Sequence, residues 1–189
     1  MIEADLIRQA RTGSEAAWET LIQQHQEAVF RLAYLLTGDA SDAEDVAQEA
    51  FIRAYRSLDR FDSARPWRPW VLSIAANLAR NRRRSIGRYF ANLQRFARYN
   101  PDPVLDPEGE VAEQHRARAL WRAVQRLETS DQEVIYLRYF LELPVEETAS
   151  VLQVAPGTVK SRLHRALNRL RAVVEAEFPQ LREEVVSDE

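Results

Sequence analysis

Two stretches of this chain have the residue types and spacing to bind nucleic acid. The first is Pro156-Gly157-Thr158-Val159-Lys160-Ser161-Arg162-Leu163-His164-Arg165. From Pro156 to Arg171 there is no Asp or Glu, while Lys160, Arg162, Arg165, Arg169 and Arg171 supply cations. Val159, Leu163, Ala166, Leu167 and Leu170 recur at helical spacing and face a shared core with Val145, Ala149 and Leu152 of a preceding helix. A buttressed cationic helix of this kind suits the DNA major groove. Its turn departs from the favoured pattern. Gln153 stands where glycine is usual and must take a left-handed backbone, and Ala155 stands where a capping Ser would be stronger. Pro156 at the first helical position is favourable, since its missing N–H would go unpaired there anyway.

The second stretch is Asn77 to Arg84, where Asn77 and Asn81 lie one helical turn apart and Arg80, Arg82, Arg83 and Arg84 surround them. Amide side chains can read base edges, and the arginines can hold phosphates, which positions a duplex without specifying its sequence. No glycine-rich phosphate loop, nucleophile–base arrangement or metal-ligand cluster accompanies either stretch, so catalysis and cofactors are not expected.

The elements that must position these residues are helical throughout. The 189 residues, 46% of them hydrophobic, suffice for one domain or two small ones. Helices are predicted from about Ile2 to Thr12, from a Ser14 cap to about Leu36 before Gly38, and from a Ser41-Asp42-Ala43-Glu44 capping box to about Leu58. A fourth begins near Pro66 or Trp67, with Trp67, Trp70, Val71, Ile74, Ala75 and Leu78 on its inner face. Prolines 101, 103 and 107 interrupt the pattern. A second helical unit follows, with Ser130-Asp131-Gln132-Glu133 as another capping box. The expected fold is all-α: two small helical domains joined by a linker, the C-terminal one containing a helix-turn-helix. The expected boundaries are 1–88 for the first domain, 89–112 for the linker, 113–178 for the second domain and 179–189 for an acidic tail.

The net charge of −3 argues against a simple DNA-coating protein, and its distribution says more. Asp39, Asp42, Glu44, Asp45 and Glu49 cluster, and the arginine block from Arg80 to Arg98 contains no acid. Alternating blocks suit separate faces for separate partners. Cysteine is absent, which removes disulfides and thiolate chemistry. His25, His115 and His164 lack metal-ligand spacing. The N-terminus is unlike a signal peptide and no apolar run could span a membrane, so a cytoplasmic location is expected.

Three segments, in order, resemble the bacterial extracytoplasmic-function (ECF) class of sigma-70 family RNA polymerase sigma factors. Asp42 to Tyr55 is similar to the family's core-polymerase-binding helix, Trp70 to Asn81 to the helix facing the minus-ten promoter element, and Gly157 to Ala166 to the minus-thirty-five reader. The resemblance implies a dissociable, non-catalytic polymerase subunit that directs the core enzyme to promoters and promotes DNA opening. It implies three kinds of partner: core RNA polymerase, promoter DNA and an anti-sigma factor. Asp42, Asp45, Gln48 and Glu49 then face the polymerase.

The minus-ten set is Phe61, Asp62, Ser63, Trp67, Asn77, Arg80, Asn81, Arg83 and Arg84. Within it the loop Arg60 to Arg65 resembles the family's specificity loop, which captures an extruded base, and Phe61 or Trp67 could stack on that base or belong to the core. The minus-thirty-five set is Thr158, Lys160, Ser161, Arg162, His164 and Arg165, with Arg165 placed to bond a guanine and Lys160, Arg162 and His164 better suited to phosphate or groove wall. Two other readings stay open on the residues alone. One is an autonomous dimeric helix-turn-helix regulator, which leaves the acidic helix unexplained. The other is a protein-interaction adaptor, against which the arginine blocks count.

Overall fold

The structure is a computed structural model and describes residues 3–93, 112–178 and 181, with side chains described to residue 83 of the first stretch and from residue 116 of the second. The expected linker therefore lies largely outside the described residues, as does nearly all of the acidic tail.

Eight α-helices are present among the described residues. The first unit comprises α1 (Glu3–Arg11), α2 (Glu15–Thr37), α3 (Ala40–Arg56) and α4 (Trp67–Leu93), with a tight turn at Leu58–Arg60 between α3 and α4. The Ser14 side chain accepts from the Ala17 N–H at the start of α2, and Gly38 ends that helix at φ 77°, a conformation glycine adopts at little cost. The α3 cap differs from expectation. Asp39, not Ser41, is the N-cap, and its carboxylate accepts from the Asp42 N–H at 2.9 Å. Both residues can cap, and Thr37 favours the earlier start by donating its hydroxyl to the Asp39 carbonyl.

The second unit comprises α5 (Ala112–Gln125), α6 (Thr129–Ile135), α7 (Val145–Leu152) and α8 (Pro156–Glu177). The Ser130 capping box does not form: Glu128 is the N-cap and makes no side-chain capping bond. The box residues Asp131, Gln132 and Glu133 are buried instead. A π-type turn, Tyr136–Phe140, extends α6. Gln153 adopts the anticipated left-handed conformation, φ 56°, and the Val154 N–H bonds back to the Ala149 carbonyl. The predicted helix-turn-helix core is present: Ala149, Leu152, Val159 and Ala166 are buried, and Val145, Leu163 and Leu170 pack against them.

The expected domain boundary at 88 falls inside α4, whose backbone continues to Leu93. The units also touch. Helix α4 packs against α2 and α3 on one side and α7 on the other, so a single apolar cluster runs through both units. No described helix is long and apolar enough to cross a membrane.

Candidate nucleic-acid interface

Helix α8 buries Val159 and Ala166 and turns Lys160, Ser161, His164 and Arg165 to solvent, with Thr158 half-buried at its start. Ser161 and Arg165, four residues apart, therefore face outward together. The Ser161 hydroxyl donates to the Thr158 carbonyl at 3.1 Å, which leaves its oxygen able to accept. His164 shares a hydrogen bond with Asn168 at 3.1 Å. Arg162 is half-buried and close enough to Glu133 for its charge to act there. In this arrangement it faces the protein more than a groove.

On α4, Asn77 and Asn81 are exposed. Arg80 bonds to the Asn77 side chain and, at 3.1 Å, to Glu133 of α6. Arg83 donates to Gln132 at 3.1 Å. Two arginines expected to hold phosphates are thus tied to the second unit. Arg84 has no described side chain. In the preceding loop Asp62 and Ser63 are exposed, but Phe61 and Trp67 are 5% and 0% exposed. Their rings meet edge to face at 5.2 Å, and Trp70 lies 4.6 Å from Phe61. A base would find no open face on either ring, so the stacking role anticipated for Phe61 or Trp67 does not fit this arrangement. Spacing alone could not separate the two roles.

Helix α3 carries the acidic face. Arg82 of α4 forms ion pairs with Asp42 at 2.6 Å and Asp45 at 3.1 Å, the Asp45 side chain keeping 59% exposure and Asp42 only 16%. Glu49 pairs with Arg53 one turn on, and Gln48 is exposed. Beside these lies a feature that the charge pattern did not reveal. Ile52 and Tyr55, 44% and 51% exposed, border an open apolar groove of about 370 Å³ lined also by Trp18, Ile22, Gln48 and Phe51. Asp45, Gln48, Ile52 and Tyr55 follow helical spacing, so one strip of α3 is acidic at one end and apolar at the other. That spacing was available in the sequence. Val46, Ala50 and Ala54 follow the same period on the buried face of the helix.

Between the units, buried Glu133 is ringed by the charges of Arg80, Arg83 and Arg162, yet burial still outweighs them and raises its pKa above the usual carboxylate range. Asp131 pairs with Arg169 at 2.5 Å, and the Gln132 amide donates to the Gln125 and Leu127 carbonyls. Asp131 and Gln132 are paired in this way, whereas Glu133 is bonded through Oε2 alone and its buried Oε1 has no hydrogen-bond partner, which agrees with its raised pKa. Among the described residues no group of acidic or histidine side chains could hold a metal ion.

Comparison with known proteins agrees with this two-unit arrangement. Sigma-70 region 2 matches residues 21–89, and sigma-70 region 4 matches residues 117–170. The chain is 32% identical to the ECF RNA polymerase sigma factor SigW of Bacillus subtilis, over 87% of this chain and 92% of SigW. It is 31% identical to the RNA polymerase sigma-H factor of Pseudomonas aeruginosa, over 96% of each. Among solved structures, CnrH in complex with the cytosolic domain of CnrY superposes with a TM-score of 0.68 at 27% identity, covering 93% of this chain and 98% of CnrH. With both sigma regions present in order and a full-length relative above 30% identity, the chain belongs to the sigma-70 family of RNA polymerase sigma factors, in the extracytoplasmic-function class.

Proposed function

We propose that this sigma factor docks on core polymerase through the exposed strip of α3, reads the minus-ten element with the loop 60–65 and the outer face of α4, and reads the minus-thirty-five element with the N-terminal half of α8. The observation that carries the proposal is the division of labour among three solvent-facing surfaces on three elements: acidic and apolar on α3, amide-rich on α4 and cationic on α8. In the docking strip, Asp45, Gln48 and Glu49 supply polar contacts, and the groove beside Ile52 and Tyr55 supplies apolar area. Asp42 acts chiefly by holding α3 to α4 through Arg82. In the minus-ten surface, Asp62 and Ser63 meet an unpaired base, Asn77 and Asn81 read edges, and Arg80, Arg83 and Arg84 hold phosphates. In α8, Ser161 and Arg165 read bases while Thr158, Lys160 and His164 fix the helix on the backbone. The nucleotidyl transfer belongs to the polymerase.

The bonds that Arg80 and Arg83 make to α6 imply that promoter engagement parts the units. A bound protein that stabilises the closed arrangement would act as an anti-sigma factor, and CnrH was solved in complex with the cytosolic domain of CnrY. The domain limits 1–88 and 113–178 describe the two binding units, with α4 extending a few residues beyond the first. The direct experiment is runoff transcription with purified core polymerase. Asp45→Arg is expected to weaken core binding by more than about tenfold, and transcription with it, while leaving the fold intact. Normal core binding by that variant overturns the α3 assignment.

A further inference from the structure

The side chain of Arg11, the last residue of α1, reaches the loop between α3 and α4 with all three of its nitrogen positions. Its Nε donates to the Leu58 carbonyl at 2.9 Å, one terminal nitrogen donates to the Ser63 hydroxyl at 3.0 Å, and the other donates to the Phe61 carbonyl. Three acceptors spread over six residues of one loop thus converge on a single planar cation. A lysine, whose donors sit on one atom, could not span them.

The same helix grips the other end of the loop. One oxygen of Glu3 accepts from the Trp67 N–H at 3.4 Å, at the start of α4, and the other meets His25 of α2 at 3.0 Å. Helix α1 is seated by Leu6, Ile7 and Ala10, each at most 3% exposed. It lies wholly outside residues 21–89, the stretch that matches sigma-70 region 2.

Above this anchor the loop tip has little else to hold it. Asp62 accepts from the Ala64 N–H through its side chain and from the Arg65 N–H through its carbonyl, both at 3.0 Å. Phe61 is fixed below by its ring contacts, while residues 62 to 65 are exposed. Ordering a free backbone costs conformational entropy at every residue, and a loop ordered in advance does not spend binding energy on that step.

We propose that Arg11 is a positioning residue for base selection at the minus-ten element: it sets the Phe61 backbone and the Ser63 hydroxyl so that the tip meets its base in one geometry. The proposal rests on the reading of loop 60–65 as part of the minus-ten surface. Arg11 itself touches no DNA in this account. It acts through the loop, so its loss reduces discrimination between bases more than it reduces docking on the polymerase.

The test uses full-length protein, core polymerase and pairs of templates in one tube, each pair differing at a single base of the minus-ten element. The ratio of the two transcripts does not depend on how much protein is active, so a merely destabilising substitution leaves it unchanged. Arg11→Ala and Arg11→Lys are expected to cut the ratio by about fivefold, part of what one base pair can supply, with core affinity and minus-thirty-five preference unaltered. Should Arg11→Ala fold poorly, Arg11→Lys, which keeps the aliphatic stem and the charge, carries the test. The double variant Asp62→Ala, Ser63→Ala separates the two claims. If it changes the ratio and the Arg11 variants do not, the Arg11 proposal is overturned and the loop reading stands. If it does not change the ratio, the loop reading falls and the proposal falls with it.

Discussion

Glu133 on α6 accepts a hydrogen bond from Arg80 on α4 at 3.1 Å, joining residues 53 positions apart and linking the two promoter-reading units directly. Glu133 is nearly inaccessible, and Arg80 is a quarter exposed. With Arg83 on Gln132 and Arg68 on the Leu141 carbonyl, the pair forms a clasp that a DNA backbone would have to compete with.

Arg80→Ala removes the cation bonded to Glu133 and leaves the buried carboxylate without it. A hydrogen bond to a charged group contributes about 1.5–3 kcal/mol, so the expected shift toward separated units is more than about tenfold. Energy transfer between dyes on α2 and α8 measures it, and transfer efficiency is expected to fall. Because burial holds this carboxyl above the usual carboxylate range, the closed arrangement takes up a proton more readily than the parted one, so acidification favours closure and a rise in pH through the raised value weakens it. Unchanged transfer in the variant contradicts the clasp.

Asp42 and Asp45 share Arg82 but differ in exposure, and their substitutions should separate stability from docking. Asp45→Arg weakens core binding by more than about tenfold, as expected for a charge reversal at an interface, with little change in melting temperature. Asp42→Ala lowers the melting temperature and costs core affinity less than Asp45→Arg does, since the Asp42 side chain is mostly covered and bonds to Arg82 while Asp45 faces solvent. Fluorescence anisotropy against core polymerase and thermal melts distinguish the two.

Arg165→Ala is expected to cost about 1–3 kcal/mol of discrimination at one position of the minus-thirty-five element and to relax preference there. Lys160→Ala weakens all sequences alike and reduces the salt slope by about 1. Binding titrations of holoenzyme on promoter variants at several salt concentrations check both.

His25 gives the first unit a pH dependence. Burial lowers its pKa below 6.5 against the opposing pull of Glu3, with the charge of Arg68 acting in the same direction as burial. The folded state then binds fewer protons than the unfolded one, so stability rises with pH. The contribution is complete above 6.5 and is lost as pH falls toward the depressed value. The slope is at most about 1.4 kcal/mol per pH unit. His25→Gln, which retains a donor for Glu3, should flatten it. Melts at pH values spanning that window decide, and an equal slope in the variant rules His25 out.

What could be read in advance was what neighbours in sequence determine. The Ser14 cap, the Gly38 stop, the left-handed Gln153 and the α7–α8 core all rest on local geometry or helical period. What could not be read depends on distant partners. Asp131, Gln132 and Glu133 look like exposed capping residues until Arg169, Arg83 and Arg80 arrive from 38 to 53 residues away. Arg11 is unremarkable in sequence, because its acceptors are two backbone carbonyls and one hydroxyl about fifty positions on. Phe61 and Trp67 carry the same apolar signal whether they stack on a base or on each other. Of the residues assigned to the promoter, Lys160, Ser161, His164 and Arg165 on α8 face solvent as helical order predicts, while Arg162 is half-buried toward Glu133. Those on α4 carry a second, tertiary role that order does not encode.

The most direct test of the central claim is multi-template runoff transcription by purified bacterial core polymerase, with the chain and with its Asp45→Arg and Arg165→Ala variants. Templates come from the genome that encodes the chain, including the region upstream of its own gene. The account predicts initiation at a defined start only when the chain is present. Asp45→Arg sharply reduces that initiation, and Arg165→Ala weakens its response to changes in the upstream element. A chain that binds duplex DNA by itself, fails to bind core and leaves the start sites unchanged would contradict it.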